Sequence, residues 1–174
     1  MLGVIGEAPV NSVNTSGLAD ANAAYNILCF CSREVQLVGW HWNTELNFPL
    51  TPDQDGYLQL PANTLKVDTD GAYENLDLIQ RGTRLYDRVN HTYTFDSPVT
   101  VEIVLCLAFD DLPEAARSYI VIRAARQFQE RTVGSEVLDG FTMRDEMQAM
   151  ARLKDAEADN GDYNILSNLE ALNR

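Results

Sequence analysis

Two periodicities divide the chain. Between Asp111 and Arg131 apolar residues recur at helical spacing, and after Pro113 no glycine or proline interrupts them. Asp111 stands where an N-cap is expected, and Glu114 three residues later completes a capping box. Pro113 falls in the first turn, where a missing N–H costs nothing. About 19 residues then run as one helix about 28 Å long. On a helical wheel Leu112, Ala115, Ala116, Tyr119, Ile120 and Ile122 make one apolar face, and Val121, Ala124, Ala125 and Phe128 lie on the other side. A helix apolar on both sides is covered twice, by its own core and by something further. A central position in a small bundle and a contact with a neighbouring subunit both fit.

Residues 18–38 carry a second helical signal. Ala21, Tyr25, Leu28, Val35 and Val38 fall near the repeat with Ala24 and Cys31 beside them, Ser16 is the candidate N-cap, and Gly39 is the stop. The expected partner is the central helix. From Trp40 to Phe109 the period shortens to two. Trp40, Trp42, Leu46 and Phe48 alternate with His41, Asn43, Glu45 and Asn47. Strand-like runs follow at 57–61, 65–71, 76–80, 84–89, 92–95 and 99–109, separated by turn residues at 52–56, Asp70-Gly71, Arg81-Gly82 and 96–98. About five to seven short strands suffice for a small antiparallel sandwich or barrel.

After Gly134-Ser135 a further helix, capped by Ser135 or Thr142, carries the stripe Met143, Met147, Met150, Ala151 and Lys154 and stops at Asn160-Gly161. The last stretch has apolar Tyr163, Ile165, Leu166, Leu169 and Leu172, is too short to fold alone, and must dock on something or stay mobile. At the front, Gly6 and Pro9 read as the end of a helix lying mostly before Met1. The expected fold is α+β. A helical bundle domain, residues 1–40 plus 110–160, is interrupted by an inserted small antiparallel β-sandwich or barrel domain at 41–109, and 161–174 forms a C-terminal arm.

Charge narrows the function. Thirteen basic against 26 acidic residues leave a net charge of −13. A protein that grips phosphates needs the opposite balance, so ordinary nucleic-acid binding is disfavoured. No apolar run reaches the length of a membrane span, and the N-terminus lacks the basic start of a signal peptide. Cys29, Cys31 and Cys106 are an odd count in apolar surroundings, which points to buried reduced thiols and a reducing compartment.

Catalytic signals are weak. Asp53-Gln54-Asp55-Gly56 invites a calcium reading, yet an EF-hand alignment puts Thr51 first and Ala62 last, neither a suitable ligand. The stretch ending in Asp70-Gly71 fails the same way, with Lys66 first. Both read as hairpin turns. His41 and His91 have no metal-ligand neighbours at the needed spacing, and no nucleophile elbow, Walker A or dinucleotide motif is present. No catalytic residue, cofactor or metal is assigned. Carboxylates in the β region keep a glycan hydrolase open as an alternative, and Trp40 and Trp42 a carbohydrate-binding β module.

Six stretches, taken together and in order, resemble the tail tubular protein A family of short-tailed phages. They are IGEAPV at 5–10, GWHWN at 39–43, LPANTL at 60–65, RGTRLYDRVNHTYTFD at 81–96, FDDLPEAARSYIVIRAARQFQERTVGS at 109–135 and GDYNIL at 161–166. The family carries a helix upstream of the first stretch that is almost gone here. The resemblance implies a non-enzymatic virion protein, made in the bacterial host cytoplasm and placed at the head–tail junction. It implies a ring, dodecameric in that family, that joins the portal protein to the tail nozzle, a tail tubular protein B-like partner, with tail fibres as further neighbours. Double-stranded DNA would pass through the ring without specific binding, and an acidic channel would not hold its phosphates. For the subunit or portal interface the candidates are Arg117, Arg123, Arg126, Tyr163, Ile165 and Leu166.

Overall fold

The computed structural model describes residues 19–69, 76–132 and 136–160, with the backbone alone at 136–142. Expectations at Gly6, Pro9, Ser16, Asp70-Gly71, Ser135 and the 161–174 arm lie outside these residues. The chain divides into two compact units, Met1–Cys31 with Pro113–Arg174, and Ser32–Leu112. It is mixed α and β, with small antiparallel sheets, and the described strands form no closed barrel.

In the first unit, helix α1 (Ala19–Gln36) contributes its residues up to Cys31. Its buried stripe is Ala21, Ala24, Ile27 and Cys31, and Val35 extends it beyond the border. Tyr25 and Val38, expected inside, are exposed; Ile27 takes the inward place. Cys29 is also exposed, against the expectation of buried thiols, because one intervening residue turns it about 200° from Cys31.

Helix α2 (Glu114–Thr132) has the expected length of 19 residues but starts later than its capping box implies. Phe109–Asp111 form a short 3-10 turn, and Leu112 is extended with φ −76° and ψ 147°. Proline disfavours the helical region for the residue before it, so Pro113 keeps Leu112 out of the helix. The Arg117 N–H donates to Pro113 O, and the Glu114 carboxylate meets Arg117 Nη2 at 2.7 Å instead of closing a capping box. Ala116, Tyr119, Ile120, Ala124 and Phe128 are buried, while Val121 is 39% exposed. Ala124 and Phe128 therefore share the face of Ala116 and Ile120, since steps of four residues drift only about 40° each. Helix α3 (Glu136–Asn160) packs on α2 and runs unbroken through Thr142, which is not its cap. Its inward line is Ala149 and Leu153.

In the second unit, β1 (Thr44–Leu50), β5 (Val99–Leu105) and β2 (Thr64–Asp68) form an antiparallel sheet in the order β1-β5-β2, and β3 (Leu78–Arg81) pairs with β4 (Arg84–Asp87) in a hairpin. Gly82, at φ +65°, takes the first position of the two-residue hairpin loop, where a type II′ turn needs a positive φ. Val99, Val101 and Ile103 alternate inward from β5 and meet Leu50, Leu58, Leu60, Leu85 and Phe95 in one core. The expected alternation through Leu46 fails. Between Glu45 and Phe48 the β1–β5 register shifts, with Asn47 at φ 54°, and this bulge leaves Leu46 68% exposed.

Buried polar groups tie this unit together. The Gln36 side chain, fully buried, donates through Nε2 to Ser32 Oγ (3.0 Å) and Leu107 O (3.2 Å), and its Oε1 accepts the Leu107 N–H (2.7 Å). Asn43 Nδ2 donates to Gln36 O and Leu105 O, both at 2.9 Å, while its Oδ1 accepts the Trp40 N–H. Trp40 Nε1 donates to Val35 O at 2.7 Å. Gly39, at φ +81°, ends the helical turn; a Cβ there would meet Val104 Cγ2 at 3.2 Å.

Candidate assembly surfaces

Two carboxylates of the β unit, Asp53 and Asp87, are held by dense hydrogen bonding. Asp53 Oδ1 accepts the N–H groups of Asp55 and Tyr57, and Oδ2 accepts from Gln59, so the DQDG stretch is an Asx-type turn. The Tyr57 N–H does most to hold its carboxyl below the usual range. Asp87 is 1% exposed. Burial pushes its carboxyl up, but the Asn90 side chain and the N–H groups of Val89 and Asn90 outweigh that, leaving it lowered. A glycosidase acid needs a raised pKa, and these two are shifted the other way. Among the described residues no group of three or more His, Cys, Asp or Glu could hold a metal, and no helix is long and apolar enough to cross a membrane. Trp40 is buried and Trp42 half-buried, stacked on it with centroids 6.4 Å apart, so neither stands out as a sugar platform.

Asp87 instead organises the turn from 87 to 92, where it also exchanges backbone hydrogen bonds with Thr92. Asp87→Ala is expected to cost about 2–3 kcal/mol by stranding its donors. A lowered folded pKa means this contribution is present above the ordinary carboxylate value of about 4 and is lost as pH falls through the folded value. Urea midpoints followed from neutral to acid pH should show that loss in the native chain and a flatter profile in Asp87→Asn.

Two exposed surfaces have a different character. The first is a groove of about 410 Å³ between α2 and α3. The whole predicted stripe, Met143, Met147, Met150, Ala151 and Lys154, lines it, with Tyr119, Arg126 and Glu146 completing the walls. The stripe lies roughly a third of a turn from the Ala149–Leu153 line, so the helix packs beside it and not through it. Met143 and Met147 are 49% and 64% exposed. The Arg126 Nε–Glu146 Oε2 ion pair, at 2.7 Å, joins the two helices.

The second surface was not singled out from the sequence. Arg81 lies 3.6 Å over the ring of Tyr86, and Arg84 lies over Tyr57 and Tyr93 at 4.8 and 5.5 Å. Tyr86 and Tyr93 meet edge to face at 4.8 Å. The Tyr93 hydroxyl holds Arg81 protonated beyond its ordinary range. The signal was present in β4: period two puts Arg84 and Tyr86 on one face and the buried Leu85 and Asp87 on the other. Tyr57 and Tyr93 join from outside the hairpin, which no local pattern reveals. Arginine and tyrosine are the side chains that dominate protein interfaces.

Of the interface candidates, Arg117 pairs with Glu114, Arg123 Nη1 donates to Tyr119 Oη at 3.2 Å, and Arg126 holds Glu146. Only Arg126 lines the groove. Tyr163, Ile165 and Leu166 lie outside the described residues.

Among the described residues, then, the exposed chemistry is a methionine groove and an arginine–tyrosine plate, side chains of the kind that protein contacts use. The chain belongs to the Tail tubular protein family, whose model matches residues 1–163. It is 32% identical over 135 residues to Tail tubular protein A of Klebsiella phage KP34, which covers 78% of this chain and 70% of that protein. The protein is thus a structural component of a phage tail and of the virion.

Proposed function

We propose that the chain is a non-enzymatic, ring-forming head-to-tail adaptor that joins the portal protein to the tail nozzle and surrounds the DNA channel. The observation that carries this reading is the family match over 1–163, and the exposed methionine groove and arginine–tyrosine plate are compatible with contacts to other proteins. The net charge of −13 supports it: many copies around a channel would repel the phosphates of passing DNA instead of binding them. In this reading Arg117, Arg123 and Arg126 hold the α2 side of a subunit or portal contact, and Tyr163, Ile165 and Leu166 dock the arm. The copies form a dodecameric ring, with tail fibres as further neighbours. The test mixes purified chain, carrying an intact N-terminus, with portal rings of its phage and images them by electron microscopy. An added ring on the portal is the expected result, and bare portals would overturn the reading.

A further inference from the structure

We propose that the α2–α3 groove is the receptor for residues 163–172 of a second copy of this chain. The inference rests on the reading that copies associate, and it names the contact. Met143 and Met147, four residues apart on α3, present adjoining apolar surface to solvent. Thioether side chains adapt to what they receive, and methionine-rich grooves suit apolar helix faces.

The chain itself contains a segment of matching chemistry. In YNILSNLEAL, Ile165, Leu169 and Leu172 fall at i, i+4 and i+7, part of the anchor spacing of a helix that lies in a groove, with Leu166 beside them. Ten residues at helical rise are about 15 Å long, and the groove from Met143 to Lys154 runs about 16 Å along α3. Lys154 on the rim offers a cation to Glu170 of the segment.

For a segment that binds as a helix, reach decides which copy supplies it. Met147 and Met143 lie about 20 and 25 Å back along α3 from Asn160. A helical segment folding back at Gly161 would extend only to about Ala151, leaving both exposed methionines uncovered. A segment from another copy has no such tether. Each copy then offers one groove and one segment, a head-to-tail contact that closes into a ring if the rotation permits.

The test keeps the full chain. One form, M143E/M147E, blocks the groove at two exposed positions; the other, I165D/L169D, blocks the segment. The segment-blocked form carries labelled methionine methyls, and unlabelled groove-blocked chain is added. The expected result is a shift of the Met143, Met147 and Met150 signals, with a one-to-one complex in sedimentation. Added unlabelled segment-blocked chain should produce no shift. Absence of a shift with the groove-blocked partner, up to the limit of solubility, overturns the proposal. So does a native chain whose methionine signals sit at the shifted position independently of concentration, since its own segment then fills the groove. If both variants still add normal rings to portals, the inference fails and the adaptor reading stands. If the native chain adds no ring, that reading fails separately.

Discussion

A Gln36→Ala chain is expected to lose about 2–4 kcal/mol of unfolding free energy. The substitution removes the hydrogen bonds to Ser32 Oγ and to both backbone groups of Leu107. It leaves the Leu107 N–H and C=O without these partners, and it opens a void where a fully buried side chain stood. The loss should appear in urea unfolding, and hydrogen exchange should place it in residues 32–112. Gln36→Glu separates the two halves of the interaction. One carboxylate oxygen can still accept the Leu107 N–H, but the other faces Leu107 O, so the penalty remains at neutral pH. In acid a protonated carboxyl can donate to Leu107 O, and part of the stability should return.

Phe128→Ala is expected to cost about 3–5 kcal/mol. Phe128 is 2% exposed on the α2 face that carries Ile120 and Ala124, so its truncation opens a ring-sized cavity in that packing. The early-exchanging amides should lie in α2 and α3, in contrast to Gln36→Ala. Val121→Ala, on the exposed line of the same helix, should stay within about 0.5 kcal/mol. Equal losses at 121 and 128 would show that the helix buries both sides within a single copy.

The helices were legible because their signal is local. An unbroken 3.6-residue period and a Gly39 stop need no knowledge of the rest of the chain. Most strand-like runs were legible for the same reason, although 57–61 and 92–95 form only isolated bridges, and the Asp53 turn followed from side-chain chemistry. Errors arose where one residue changed its neighbour's backbone. Pro113 displaced the start of α2 by forcing Leu112 extended, and the bulge at Asn47 turned Leu46 outward. Sites built from distant residues left at most a partial trace, such as Arg84 and Tyr86 on one face of β4. Gln36 and Leu107 are 71 positions apart, and the arginine–tyrosine plate draws on Tyr57, the β3–β4 hairpin and Tyr93.

The methionine stripe of α3 marks the division most clearly. Its five residues can be read from the sequence, because a helix places positions three and four apart on one side whatever surrounds it. Whether that side fills a core or lines an open groove depends on the rotation of α3 about its own axis when it meets α2. That rotation is set by Ala149 and Leu153, which pack inward, and by the Arg126–Glu146 pair between the helices. Periodicity therefore determined which residues stand together, and only packing between distant segments decided which of those sets is left for a partner.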